Sequence, residues 1–340
     1  MCKTAGHDTE STGGIVLRIH FTYEDLERTV VAPTADPLWE MLLSGFRLRE
    51  NDRLPIFEPW ARNVRSDHRA REGMALGARL LAALAPSAPY FPDFLTPPEA
   101  GQGLANGLAA LSATSPVEMR AQLTRLDAIA PLPRWIRPLA DGDRDFLGDV
   151  AAAFGRYHDA ALGPYSDLVQ RAVDADRSLR AQQFLTGGIE AMLTGIRPVA
   201  QWRRPVLEVE HAVEQDLHLR GRGLRLVPSF FCGRTACTLA DPALPPTLVY
   251  PIDPGCRWTF AEADRRPLRV LIGATRAAVL AAVGTGATTT ELARHVGTSP
   301  ASASRHATVL RDCGLITTRR DGMAVVHNLT SLGEALLEHH

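Results

Sequence analysis

The sequence predicts a mainly helical α+β protein built as two domains, and three observations carry that reading. Residues 22–198 space their apolar side chains at helical intervals, with Pro and Gly as punctuation. After Pro198 the texture changes to period-two alternation, as in Val206-Leu-Glu-Val-Glu210 and Asp216-Leu-His-Leu-Arg220. From Leu268 onward helical spacing returns, interrupted once by two strand-like runs around Asp321-Gly322, a strong hairpin signal. The length of 340 residues fits two or three domains of roughly 100–200 residues.

The elements follow in order. Residues 1–14 read as a flexible leader rich in Gly, Ser and Thr. Ile15 to Phe21 is a short strand, and Thr22 with Asp25 forms a capping box that opens a helix. Pro33 and Pro37 interrupt, and Leu38 to Arg49 is the next helix. Val64 to Ala85 reads as one helix that stops at Pro86. The Pro-rich run 86–98 cannot be a regular helix. Its aromatics Tyr90, Phe91 and Phe94 either pack on the core or line a pocket, and they are the candidates for a small-molecule effector site. Ser115-Pro116-Val117-Glu118 starts a helix that runs to about Ala130. Helices over 143–161 and 164–194 follow, the second breakable at Gly187-Gly188.

The strands 206–210, 216–220, 221–231 and 247–250 then form a small antiparallel sheet, which the strand at 15–21 can join. The first domain is accordingly set at 15–250, a linker at 251–267 and the second domain at 268–340. The terminal Leu337-Glu338-His339-His340 reads as the start of an added histidine tag, and His339 and His340 are given no role.

Composition narrows the class. Apolar residues make up 45% and charged residues 22%, ordinary values for a folded chain, so disorder, collagen and coiled coil are excluded as global descriptions. The net charge of −1 excludes a globally polybasic nucleic-acid binder. Lys3 is the only lysine, and a bias so complete reflects codon usage, so single arginines are weak signals of selection. Five scattered cysteines do not make a disulfide framework. Met1 to Gly14 has no apolar signal core, and no run approaches the ~20 apolar residues of a membrane span. A cytoplasmic protein with no membrane partner is expected.

The last 70 residues carry the functional signal. Leu268 to Val283 is an amphipathic helix ended by Gly284 and Gly286. Thr289 or Thr290 caps a short helix, Glu291 to Val296, which Gly297 closes. Ser299-Pro300 opens a further helix that stops at Gly314. Strands Leu315 to Arg320 and Met323 to Leu329 follow, and Ser331 with Glu334 forms a capping box for a last helix. This order is that of a winged helix-turn-helix, in which the second helix of the motif enters the major groove of DNA. Ala303, Ala307 and Leu310 would pack inward, leaving Ala301, Ser302, Arg305 and Thr308 outward. Between Arg265 and Leu329 nine arginines face only Glu291, Asp312 and Asp321, a local basic patch suited to phosphates. Ser299, Ser302, Ser304, Arg305, His306, Arg319 and Arg320 are the candidate DNA contacts.

Glu291-Leu-Ala-Arg-His295, Thr298-Ser-Pro-Ala-Ser-Ala-Ser-Arg-His306 and Val309-Leu-Arg-Asp-Cys-Gly-Leu-Ile316 together closely resemble ArsR-type bacterial regulators. The match covers about a fifth of the chain. Upstream, Asp36-Pro-Leu-Trp-Glu40, Tyr90-Phe-Pro-Asp-Phe-Leu-Thr-Pro97, Gly221-Arg-Gly-Leu-Arg-Leu-Val-Pro228 and Pro246-Thr-Leu-Val-Tyr-Pro251 resemble a domain of unknown function found ahead of such motifs. The resemblance implies a homodimeric regulator, dimerised through the first and last helices of the winged domain, on a palindromic operator in double-stranded DNA. It supplies no ligand.

Several sharper readings are weaker than their plain counterparts. Metal-sensing regulators of this type carry paired cysteines near the reading helix, where this chain has Ala and Ser, and Cys313 is expected to fill a small apolar site. Cys232, Cys237 and Cys256 lack a convincing fourth ligand, so no metal is expected. Asp141-x-Asp143-x-Asp145 lacks the Gly and Glu of a calcium loop and reads as a helix N-terminus. Gly221-x-Gly223 fails the dinucleotide fingerprint at Leu226, and no nucleophile-elbow or zinc-protease motif is present, so neither cofactor nor enzyme activity is expected. Glu208, Glu210, His211, Glu214, Asp216 and His218 are assigned to the solvent face of a hairpin or its turn. The leading function is a sequence-specific DNA-binding repressor whose domain 15–250 either binds a small-molecule effector, rather than a metal, or mainly builds the dimer. The alternative is a small-molecule-binding or catalytic protein that uses the winged helix as scaffold or dimer interface.

Overall fold

The computed structural model describes residues 16–49, 54–196, 199–211, 213–256, 272–284, 286–321 and 324–338. The chain divides into two compact units, Met1–Trp258 and Thr259–His340. The architecture is mixed α/β, mainly helical with small sheets. Among the described residues no helix is long and apolar enough to cross a membrane. The proposed leader, residues 1–14, lies outside the described residues.

The first unit opens with β1 (Val16–His20) and α1 (Tyr23–Arg28). Thr22 and Asp25 form the expected capping box, and Asp25 also accepts the Gly223 N–H at 2.9 Å, tying α1 to a distant turn. After β2 (Val30–Val31), α2 (Pro37–Arg49) buries Leu38, Trp39, Met41, Leu42 and Leu43. The single helix expected over 64–85 is two: α3 (Glu58–Ser66) and α4 (His68–Leu84). Asp67 leaves the helical region and its carboxylate accepts the N–H groups of Arg69 and Ala70, so it caps a new helix.

Next come α5 (Leu104–Ser112), α6 (Pro116–Ile129, capped by Ser115), α7 (Arg137–Ala140) and α8 (Arg144–Ala161). Asp143 caps α8 through the Asp145 and Phe146 N–H groups, so the triple-Asp run is a helix start. Gly77 of α4 lies directly on α8: a Cβ there would sit 2.6 Å from the Tyr157 Cβ and 2.8 Å from the Ala153 carbonyl oxygen. Ser44 of α2 and Tyr157 of α8 share a hydroxyl hydrogen bond of 3.0 Å, and the Trp60 indole N–H donates to Ala161.

The long α9 (Ser166–Thr194) breaks at Gly187 and Gly188, the second at φ +69°, and turns the chain back toward the sheets. Asp176 of α9 is fully buried. It accepts a two-point contact from Arg180, itself 2% exposed, the Tyr250 hydroxyl at 2.7 Å and the Asp253 N–H at 2.9 Å. Buried charge is tolerated here because every carboxylate oxygen has a donor.

The one antiparallel sheet expected is in fact two mixed sheets. The first has the order β3 (Ala200–Arg203), β4 (Val206–Glu210), β1, β5 (Gln215–His218). β1 runs antiparallel to β4, with Leu17 opposite Val209 and Ile19 opposite Leu207, and parallel to β5. Those four side chains are fully buried, so alternation sets the register. The second sheet has the order β2, β6 (Arg225–Ser229), β8 (Thr247–Pro251), β7 (Cys237–Thr238), with β6 and β8 parallel. β6 and β8 are buried along most of their length, which conceals the alternation that an exposed strand shows. Residues 251–256, the expected start of the linker, belong to the first unit: Ile252 is buried and Asp253 is held by Asp176. Residues 257–267 lie outside the described residues.

The second unit contains α10 (Ala274–Val283), β9 (Ala287–Thr288), α11 (Thr289–Val296), α12 (Pro300–Asp312), β10 (Ile316–Asp321), β11 (Ala324–Leu329) and α13 (Ser331–Glu338). Its core joins Val279, Leu280 and Val283 of α10 to Leu292 of α11, Ala303, Ala307 and Leu310 of α12, and Leu315 and Ile316. The strands form a sheet of order β10, β11, β9. Two expected caps shift by a residue or two. Thr288, not Thr289 or Thr290, caps α11, and the Thr330 hydroxyl, not Ser331, accepts the Gly333 N–H at the start of α13.

Candidate nucleic-acid interface

The pair α11 and α12 is built by its end groups. Thr288 and Glu291 satisfy each other's N–H groups in a capping box. Gly297 at φ +69° ends α11, and the Thr298 N–H returns to the Ala293 carbonyl. Ser299 caps α12 by accepting the Ser302 N–H at 3.2 Å, and Pro300 occupies the first helical position. The helices are thereby joined by the short turn Gly297-Thr298-Ser299 and held together by Leu292, Ala303 and Ala307.

α12 buries Ala303, Ala307 and Leu310, as their spacing requires. Its opposite face exposes Ala301, Arg305, Thr308 and Val309. Ser299 and Ser304 are exposed, whereas Ser302 and His306 are half-buried on one flank. The Thr308 hydroxyl donates to the Ser304 carbonyl, which leaves Arg305 as the long donor of that face. Among the described residues the Arg305 guanidinium has neither an ion pair nor a hydrogen bond. Arg311, one turn on, pairs with Asp312 at 3.1 Å.

The hairpin pairs Thr318 with His327, Arg319 with Val326 and Arg320 with Val325. Its turn residues, Gly322 and Met323, lie outside the described residues. Strand alternation puts Arg319 and Arg320 on opposite faces, so one surface cannot take both. Both are exposed, and Arg320 shares its face with Thr318 and His327. His327 is buried. Its Nδ1 lies 3.0 Å from the Thr318 hydroxyl and its Nε2 3.0 Å from the Thr289 hydroxyl, so it fastens the hairpin to the first turn of α11. Burial, with the nearby Arg311 charge, lowers its pKa below the ordinary value, which favours the neutral ring.

Two features of this surface were not singled out by the sequence, although Arg294 belongs to its basic patch. Val309 is 40% exposed beside Arg305, four residues on along the outer face, where it offers an apolar contact. Arg294 is exposed on α11, close enough to the capping Glu291 to help lower its pKa. Helical phase counted from Ala303 would have found Val309. The exposed arginines Arg276, Arg294, Arg305 and Arg320 are opposed among the described side chains by Glu291 and Asp312, and Asp312 is spent on Arg311.

The remaining candidate residues separate. Tyr90 and Phe91 line a cavity of about 500 Å³ in the first unit. Phe94 does not; it is buried in the core, its backbone N–H held by the Gln122 side chain. Cys313, expected in an apolar site, is exposed, because it follows the last turn of α12 on the solvent side. Cys232 is buried and its thiol donates to the Thr235 carbonyl, while Cys237 and Cys256 are half-buried. Among the described residues no three His, Cys, Asp or Glu side chains converge as metal ligands do.

The acidic cluster is not a hairpin, since β1 runs between β4 and β5. Its outer face pairs Arg18 with Glu214 at 3.1 Å and His20 with Asp216 at 2.6 Å, and His20 stacks on His218. No family model, curated protein or solved structure matches the chain.

Proposed function

We propose that the chain is a sequence-specific DNA-binding regulator, a homodimeric repressor of the ArsR type, whose second unit is a winged helix-turn-helix. The observation that carries this reading is the outer face of α12: short side chains around a single arginine with no partner among the described residues, on a helix held by α11 across a tight turn. Such a face lets the helix lie close to base edges, with Arg305 placed to reach guanine and Val309 a thymine methyl. The α12 N-terminus, capped by Ser299, favours a phosphate nearby. β10 and β11 supply the wing, with Arg319 and Arg320 on its two faces. Dimerisation through α10 and α13 is consistent with Leu332, which α13 leaves 57% exposed. A two-fold dimer would read a palindromic site with half-sites about 34–36 Å apart.

The test is selection of duplexes from a random pool by the full chain, followed by gel shift on the selected sequence and a scrambled one. A two-fold symmetric consensus bound well above the scrambled duplex is expected. Equal binding of both duplexes would instead support the scaffold reading of the second unit.

A further inference from the structure

The cavity in the first unit has a consistent chemistry. Its volume of about 500 Å³ falls in the range of small-molecule sites. Phe46, Tyr90 and Phe91 give it aromatic walls, and Arg47, Arg125 and His211 also line it. Among the described residues none that lines it is Asp or Glu. A pocket that places the Arg125 guanidinium beside three aromatic rings, with no carboxylate among its described lining residues, selects against cations and favours an anion on a flat apolar body.

The local geometry supports this. The Arg125 guanidinium lies 4.2 Å from the centre of the Tyr90 ring. Stacking fixes its plane and leaves its N–H fork at the edge. Among the described residues it forms no ion pair or hydrogen bond. The nearby Asp93 carboxylate is occupied: it accepts the Ala240 N–H at 2.9 and 3.2 Å and the Asp241 N–H at 2.8 Å. Arg47 lies against the backbone at Gly233, where a Cβ would come within 2.8 Å of its guanidinium. Any larger residue at 233 would force that head to move. Phe91 is braced edge-on by Trp39 at 5.8 Å. The wall is thus rigid where an aromatic body would stack and cationic where its charge would sit. One guanidinium, partly offset by the nearby Asp93 carboxylate, matches one carboxylate better than a polyphosphate.

We propose that this cavity is a binding site for aromatic monocarboxylates of about two fused rings, with Arg125 taking the carboxylate and Phe46, Tyr90 and Phe91 taking the ring system. The site lies wholly in the first unit and does not depend on the DNA-binding reading. The experiment is isothermal titration of the full chain, without DNA, with 1-naphthoate and with the neutral isostere 1-naphthamide. Naphthoate is expected to bind one per chain and naphthamide at least 10-fold more weakly. Arg125→Gln, at an exposed position, should weaken naphthoate at least 10-fold and leave naphthamide unchanged. Val213→Trp, which fills the partly exposed mouth of the cavity, should abolish binding of both. Absence of saturable naphthoate binding, equal affinity for acid and amide, or an Arg125→Gln variant that binds naphthoate normally would each overturn the proposal.

Discussion

Arg305 and Arg320 differ in what their surroundings allow, and the difference is measurable. Arg305 projects from the exposed face of α12, opposite the buried Ala303, Ala307 and Leu310, whereas Arg320 sits on the hairpin. A bidentate arginine–guanine contact discriminates by about 1–3 kcal/mol, while a phosphate contact is indifferent to sequence. Arg305→Ala should therefore cost the selected duplex on the order of 10–100-fold more than the scrambled one, and Arg320→Ala should weaken both alike. Anisotropy titrations of the two duplexes at one salt concentration decide it; equal losses for Arg305→Ala would make that residue a phosphate clamp only. His327 makes a second residue-scale test. Its folded pKa is depressed below 6.5, so above that value both folded and unfolded states hold it neutral. As pH falls below 6.5 the unfolded chain takes up the proton first, and stability of the second unit is lost toward the lower folded pKa. Each unit of depression is worth about 1.4 kcal/mol. In an NMR titration the ring signal that disappears in His327→Gln should titrate below 6.5, and a midpoint at or above that value would contradict the buried, neutral ring.

At the scale of elements, closeness of approach is what single positions control. Gly77 brings α4 onto α8 with no room for a methyl group, whereas a Cβ at Gly148 of α8 would meet nothing within 4 Å. Gly77→Ala should destabilise the first unit by about 1–3 kcal/mol, the usual cost of overpacking. Gly148→Ala should stabilise it by roughly 0.5–1 kcal/mol, because a glycine inside a helix carries an entropic cost. Urea unfolding followed by the fluorescence of the buried Trp39 and Trp60 measures both, and a neutral Gly77→Ala would show that the helices can slide apart cheaply. These contrasts also explain what the sequence could convey. The capping residues Thr22, Ser115 and Ser299 were legible because a cap is a local bargain between a side chain and the next turn. The Asp67 break was not, since an Asp inside an Ala- and Arg-rich run looks like a helix surface until its ψ angle is seen. The insertion of β1 between β4 and β5 was not legible either, because it joins residues about 190 positions apart and no local pattern encodes a partner. On the candidate interface, the inward stripe of α12 followed from spacing. The opposition of Arg319 and Arg320 also follows from strand alternation, once the register is known.

At the scale of the whole molecule, the charge distribution separates the two functional readings. The chain carries a net charge of −1, so long-range attraction to DNA must come from where its arginines sit, not from their total. The second unit concentrates exposed arginines on α11, α12 and the hairpin, while the sheet face of the first unit pairs its charges internally. If the proposed dimer makes two arginine–phosphate contacts per protomer, from Arg294 and one face of the hairpin, four result. Each neutralised phosphate adds about −0.9 to the slope of log affinity against log salt, so the slope should be roughly −3.6. Between 50 and 200 mM salt, affinity for the selected duplex should therefore fall on the order of 100-fold. Reversing Arg294 and Arg320 together to Glu should flatten that slope, because the contacts that release counterions are gone. Arg305→Ala should change the slope little if it contacts a base and no phosphate. A scaffold or dimer module with no DNA partner has no reason to show this pattern. Weak binding with a slope near zero in the unaltered chain would remove the DNA reading at its physical root, whatever the fold of the second unit resembles.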